Sequence, residues 1–364
     1  MKKYKLSMVI MVIILLLSLT FLNNSISSKS LDAKENEKYF TYEEFSELIK
    51  DFNTNHSSIF NYSSLGKTYE GRDIWLIKIS DNVDSIENEP RVLFKGGVHG
   101  DEKQAYQVVI YTIISFLENY SIKSQNAISN RIKKIINETE LLFIPMINPD
   151  GIEAEIRKNL RINKCIFGDT IFRGVDINRN SGYKWELFDK KPLRFMFGAF
   201  PRSLLQTNVK HPFLDQFSIF GEGVYRGPSP FSEPESQAIK KVFENYTINI
   251  SLDHHSYAST IVYGWGWTNE PQEDETLSYL ICENISNITG YSIKRCSDNA
   301  LVLGRIPDWE YANYGTISLL VELPGTQADG YIFKKMNKPL LPICENHVFL
   351  NIYIAEKAIE LSKL

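Results

Sequence analysis

The stretch Phe94-Lys95-Gly96-Gly97-Val98-His99-Gly100-Asp101-Glu102 constrains this chain more than any other. Val92, Leu93 and Phe94 form an apolar run that breaks at Gly96-Gly97, the pattern of a buried strand entering a tight loop. His99 and Glu102 follow on that loop, and Ala105, Val108, Val109, Tyr111, Thr112, Ile113 and Phe116 then recur at helical spacing up to Tyr120. A His and a carboxylate placed where a strand ends can converge on one metal ion. Imidazole and carboxylate suit Zn²⁺, and a catalytic zinc takes three protein ligands and keeps one position open. Taken alone, His-x-x-Glu is more often the start of a helix than a metal site, so further ligands must come from elsewhere in the chain.

The length of 364 residues suits one large domain or two small ones, and 43% hydrophobic with 23% charged residues is a globular composition. A net charge of -4 gives no electrostatic reason to expect nucleic acid as a partner. The N-terminus reads differently. Lys2, Lys3 and Lys5 precede an apolar run from Leu6 to Leu22, followed by polar residues from Asn23. That is the layout of a secretory signal covering residues 1–33, with Ala33 as a candidate cleavage position. Left uncleaved, it would act as an N-terminal anchor, the one membrane contact expected; the location is then secreted or cell-surface, in the cell envelope. Cys165, Cys282, Cys296 and Cys344 form no Cys-x-x-Cys pair, which argues against a thiolate zinc site. In an exported chain they could pair, and Cys282 with Cys296 closes the shortest loop.

Along the chain, Tyr42 to Phe52 predicts an amphipathic helix and Ser64 to Ser80 a hairpin turning at Glu70-Gly71-Arg72. Glu140 to Ile147 predicts a buried strand ending in the turn Asn148-Pro149-Asp150-Gly151. Asp176 to Asn180 reads as a loop, and residues 181–224 as an irregular insertion or lid. Ser232-Glu233-Pro234-Glu235 has the spacing of a capping box opening a helix through Phe243. Ile248 to Leu252 predicts a strand that ends before Asp253-His254-His255-Ser256-Tyr257; Ile261 to Gly264 and Thr316 to Leu323 predict two more, and residues 345–362 a closing helix. Strands alternating with helices indicate an α/β fold with a mixed sheet in a single domain.

Polar residues gather at the predicted strand ends. Glu322 stands out, because a carboxylate inside Leu319-Leu320-Val321-Glu322-Leu323 is costly to bury without a role or a partner. Ligands of open α/β sheets collect at the carboxyl ends of strands. His99-x-x-Glu102, Asn148-Pro149-Asp150-Gly151, Gly174 to Asn180, Ser232 to Glu235, His255-Ser256-Tyr257 and Glu322 occur in an order that resembles the zinc carboxypeptidases of the carboxypeptidase A family, in their bacterial secreted branch. The resemblance runs from about residue 40 to the C-terminus, so a catalytic domain over 40–364 is expected.

That resemblance implies a mixed sheet of about eight strands flanked by helices, with one Zn²⁺ per chain held by His99, Glu102 and His255. His254 competes with His255, but only His255 keeps Ser256-Tyr257 in the family's register. Glu322 resembles the general base that takes a proton from the attacking water and passes it to the leaving amine. Asn178 and Arg179 resemble the pair that clamps the substrate's terminal carboxylate, Tyr257 lies beside the substrate, and Arg157 fits best as the oxyanion arginine, with Arg161 and Arg173 as alternatives. Ungapped counting from Glu322 puts Ala300 where digestive members carry a mobile phenol, and Arg305 and Pro307 in the pocket for the departing side chain. If Arg305 lacks a protein partner, an acidic departing side chain is favoured. The implied activity is release of a C-terminal residue from peptides by a monomer. The alternatives are cleavage of the γ-D-glutamyl–diamino acid bond of muropeptides, and an inactive relative that only binds peptide termini.

Overall fold

The computed structural model describes residues 39–85, 87–121, 126–164, 171–187, 225–298, 301–325 and 340–364. The strands are β1 (Phe60–Lys67), β2 (Asp73–Ile79), β3 (Arg91–Lys95), β4 (Glu140–Ile144), β5 (Ile162–Lys164), β6 (Ile171–Arg173), β7 (Ile250–Ser256), β8 (Thr260–Tyr263), β9 (Ser292–Arg295) and β10 (Ile317–Leu323). The helices are α1 (Tyr42–Asn55), α2 (Lys103–Ser121), α3 (Ala127–Glu138), α4 (Pro149–Ala154), α5 (Pro234–Asn245), α6 (Glu275–Thr289), α7 (Ile306–Tyr314) and α8 (Leu340–Leu361). Eight strands form one mixed sheet in the order β1-β2-β4-β3-β7-β10-β8-β9, and β5 pairs with β6 in a separate two-stranded ribbon.

Strand alternation builds two cores. Val92, Phe94, Leu141, Phe143, Ile250, Leu252, Leu319 and Val321 face α1, α2, α3, α6 and α8. Leu93, Leu142 and Ile144 face α5 and α7, where Ile239, Val242, Phe243, Ile306 and Trp309 cover them. The four central strands β4, β3, β7 and β10 are mutually parallel and buried on both faces, hence their near-continuous apolar runs. Their carboxyl ends lie along one edge, where such sheets gather ligands.

Several boundaries differ from the sequence-based expectation. The strand expected to stop at Leu252 runs on through Ser256, because β3 pairs with β7 as far as Asp253 and β10 continues the ladder through Ser256. The strand expected to reach Ile147 stops at Ile144. Ser232 does not cap α5; Glu233 is the N-cap and makes no side-chain capping bond. The Ser232 hydroxyl instead donates to Glu233 Oε1 at 2.6 Å and accepts from Asn180 Nδ2 at 2.9 Å. Cys282, Cys296 and Cys344 are free thiols, so Cys282 and Cys296 are not bridged. The N-terminal 33 residues, Cys165, Ala300 and most of the expected insertion lie outside the described residues. No helix among the described residues is long and apolar enough to cross a membrane.

Candidate active site

His99 sits on the loop after β3, and Glu102 directly precedes α2. Gly100 between them has no room for a side chain: a Cβ there would meet the Gly151 carbonyl carbon at 2.0 Å. The loop is thus pressed onto the 148–151 turn, where Asn148 accepts from Gly151 N through Oδ1 at 2.9 Å. His255 arrives from β7. Strand alternation turns His255 to the α7 side and sends His254 to the other face, where its Nδ1 bonds the Lys95 carbonyl at 3.0 Å and its ring lies against His347. Burial pushes His254 down to about 4, so it is a neutral core residue.

Glu102 joins the two outer ligand candidates. Its Oε1 lies 2.7 Å from His99 Nδ1 and its Oε2 2.9 Å from His255 Nδ1, with Ser256 N donating to Oε2 at 3.1 Å. One donor atom from each of His99, Glu102 and His255 lies within 4.8 Å of the others, and all three residues are buried. The far ring nitrogens meet carboxylates: His99 Nε2 is 3.2 Å from Asp176 Oδ1, and His255 Nε2 is 3.5 Å from Asp253 Oδ2.

The electrostatics call for positive charge. Burial disfavours a charged His255 ring, yet Asp253 and Glu102 outweigh it and raise its pKa to about 10. Burial likewise opposes an ionised Glu102, but His99 and His255 hold it well below the usual carboxylate range. Two imidazoles and a carboxylate, drawn together by surplus negative charge, are a donor set that fits Zn²⁺, which would displace the histidine protons.

Glu322 stands beside this group. The parallel β7–β10 register pairs it with His255. Its carboxylate makes no hydrogen bond to a described residue, and burial, then the Glu102 charge, raises its pKa. Of the two candidate oxyanion arginines whose side chains are described, Arg157 is brought here: Nη1 is 3.3 Å from Glu102 Oε1 and Nε donates to Asp176 Oδ2 at 3.0 Å. Arg161 points elsewhere, to Glu233 Oε1 at 2.8 Å and Tyr69 at 3.3 Å. The Arg173 side chain lies outside the described residues.

Asn178 and Arg179 occupy a short 3-10 turn, Ile177–Arg179. Asn178 Oδ1 accepts from Ile306 N at 3.0 Å, which aims Nδ2 at His255 Nε2, 3.4 Å away. Arg179 Nη1 bonds the Asn178 carbonyl at 2.7 Å, while its buried Nε has no hydrogen-bond partner among the described residues. Gly304, at φ +71, seats this turn: a Cβ there would strike the Arg179 carbonyl oxygen at 2.0 Å. Tyr257 directly follows β7, half-buried against Gly325.

Arg305 corrects an expectation. It is not partnerless: Nη1 pairs with Asp308 Oδ1 at 2.8 Å, both residues being buried. Gly266 N donates to both Asp308 oxygens, at 3.2 and 3.1 Å, and fixes that carboxylate beside the guanidinium. A substrate carboxylate would have to displace Asp308, so the basis for an acidic side-chain preference is gone. Pro307 follows Arg305 in the first turn of α7 and is buried.

The loop carrying Arg157 and Asp176 is pinned by a buried polar group that the sequence reading missed. Asn159 Nδ2 donates to Glu233 Oε2 at 2.8 Å and to Glu235 Oε2 at 2.9 Å. Burial pushes Glu235 up to about 8, so the folded chain holds a proton that an unfolded chain, with the ordinary value of 4.5, releases. The resulting stability is complete below pH 4.5 and is lost as pH rises through about 8. Each unit in that window costs up to about 1.4 kcal/mol. Glu235→Gln is therefore expected to flatten the decline in Tm between pH 5 and pH 8.5 and to melt above wild type at the higher pH. Identical pH slopes for the two proteins would contradict the assignment.

The comparisons with known proteins agree with this fold. A profile of the zinc carboxypeptidase family matches residues 45–349. A zinc carboxypeptidase of Saccharothrix mutabilis subsp. capreolus is 26% identical over 314 residues, covering 80% of this chain and 64% of that protein. Carboxypeptidase B of Astacus astacus is 24% identical over 310 residues, covering 81% of this chain and 89% of that one. The solved structure of thrombin activatable fibrinolysis inhibitor superposes with a TM-score of 0.70 at 18% identity, over 89% of this chain and 75% of that one. The chain belongs to the zinc carboxypeptidase family.

Proposed function

We propose that this chain is a zinc-dependent carboxypeptidase that hydrolyses the C-terminal peptide bond of peptides. The observation that carries the reading is the buried His99–Glu102–His255 donor set with Glu322 beside it on the neighbouring strand. His99, Glu102 and His255 would hold the zinc, which would supply Lewis-acid chemistry at the scissile carbonyl and the attacking water. Glu322 takes the water's proton and delivers it to the leaving amine. Arg157, fixed by Asp176, stabilises negative charge on the former carbonyl oxygen. Asn178 and Arg179 bind the terminal carboxylate through charge-assisted hydrogen bonds, and Tyr257 borders the same space. The Lys-rich start and apolar run of residues 1–33 support export, and hence peptides outside the cell or in its envelope as substrates.

Metal analysis of the full-length protein should give one zinc per chain. His99→Ala and His255→Ala should each lose most of it, and His254→Ala should retain it. Zinc lost with His254→Ala and kept with His255→Ala would overturn the ligand assignment. A substrate set that adds γ-D-glutamyl-diaminopimelate muropeptides to ordinary peptides tests the cell-wall alternative. Zinc binding with no turnover of either class would instead identify a peptide-terminus binder.

A further inference from the structure

Strand alternation places Lys95, Asp253 and His255 on the face of the sheet covered by α7. Lys95, Asp253 and Glu310 are fully buried there. Lys95 Nζ pairs closely with Glu310 Oε1 and lies 3.8 Å from Asp253 Oδ2, and Ser318 Oγ donates to Glu310 Oε2 at 2.8 Å. This is a built charge cluster in a place where isolated ions are costly. Lys95 is thus held by Glu310, and Asp253 is the carboxylate left over. Among the described residues neither Asp253 oxygen makes a hydrogen bond of ordinary length, and Oδ2 lies nearer to His255 Nε2, at 3.5 Å, than to Lys95 Nζ.

His255 turns Nδ1 toward Glu102, so its Nε2 must carry the ring's proton when Nδ1 binds metal. The other polar atom facing Nε2 is the Asn178 amide nitrogen, a donor whose orientation Ile306 N fixes. Two donors cannot satisfy each other, which leaves Asp253 as the acceptor. The arrangement repeats at His99, whose Nδ1 faces Glu102 and whose Nε2 faces Asp176.

Resting on the zinc reading above, we infer that Asp253 is a positioning residue for His255, accepting its Nε2–H so that Nδ1 is presented to the metal, with Lys95 behind it held by Glu310. Asp253 touches neither substrate nor the reacting atoms; it acts through His255.

The test is zinc affinity, measured on the full-length chain by competition with a chromogenic chelator. Asp253→Asn keeps the shape and leaves Lys95 paired with Glu310, so the variant should fold. It is expected to bind zinc about 10–100-fold more weakly than wild type. Glu310→Gln disturbs the same cluster without touching His255; it should lower Tm and leave zinc affinity within about twofold of wild type. Equal zinc affinity in Asp253→Asn and wild type, or equal weakening in both variants, would overturn the inference. A wild type that binds no zinc would overturn the zinc reading itself. If Asp253→Asn does not fold, ¹⁵N-histidine NMR of the zinc-loaded wild type decides: Nε2 protonated and Nδ1 metal-bound is expected for His255, and the reverse tautomer overturns the proposal.

Discussion

Glu322→Gln is expected to keep the fold and the zinc and to lose kcat by about 10²–10⁴-fold. The amide has the shape of the carboxylate but cannot take up a proton, so both water deprotonation and protonation of the leaving amine fail. The placement of Glu322 makes the effect specific. Its register opposite His255 brings it to the donor set, yet it is not one of the three clustered donors, so metal retention should survive its loss. Its raised pKa reflects burial and the Glu102 charge, the surroundings of a carboxylate poised to hold a proton. Zinc content and kcat measured on the same preparation separate the two roles. Zinc loss alongside activity would make Glu322 a ligand, and near-normal turnover would remove it from the mechanism.

Arg179→Ala is expected to reduce kcat/KM on free-acid peptides by about 100-fold. The basis is the loss of about 3 kcal/mol from a charge-assisted contact to the terminal carboxylate. On the same peptides amidated at the C-terminus, where that carboxylate is absent, wild type and variant should be similarly slow. The double comparison isolates the clamp from any general disturbance of the turn, which Gly304 holds from the opposite side. If the variant loses as much on the amide as on the acid, Arg179 supports the turn and does not clamp the substrate.

The parts of the site readable from sequence were those where a polar residue breaks an apolar pattern. Glu322 inside Leu319–Leu323 is one example. His99 and Glu102, after the buried run ending at Phe94, are another. Lys95 and Asp253 carry the same signal, charges at the ends of apolar strands, but their meaning depends on β3 lying beside β7 with α7 above them, a long-range arrangement no local pattern encodes. The role of Asp176 was hidden for a similar reason, since its partners His99 and Arg157 come from distant segments. Arg305 shows the converse limit. Counting places its charge but not its partner, and Asp308, three residues on in the first turn of the same helix, neutralises it. The end of β7 was misjudged because His254 and His255 look like loop residues, although β10 on one side extends the ladder past them.

The most direct test is to identify the products of the zinc-loaded, full-length protein by mass spectrometry, using one peptide as the free acid and as the C-terminal amide. The expected result is release of the single C-terminal residue from the acid, with the amide turned over at least about 100-fold more slowly. Cleavage at an internal bond, or equal release from acid and amide, would contradict it.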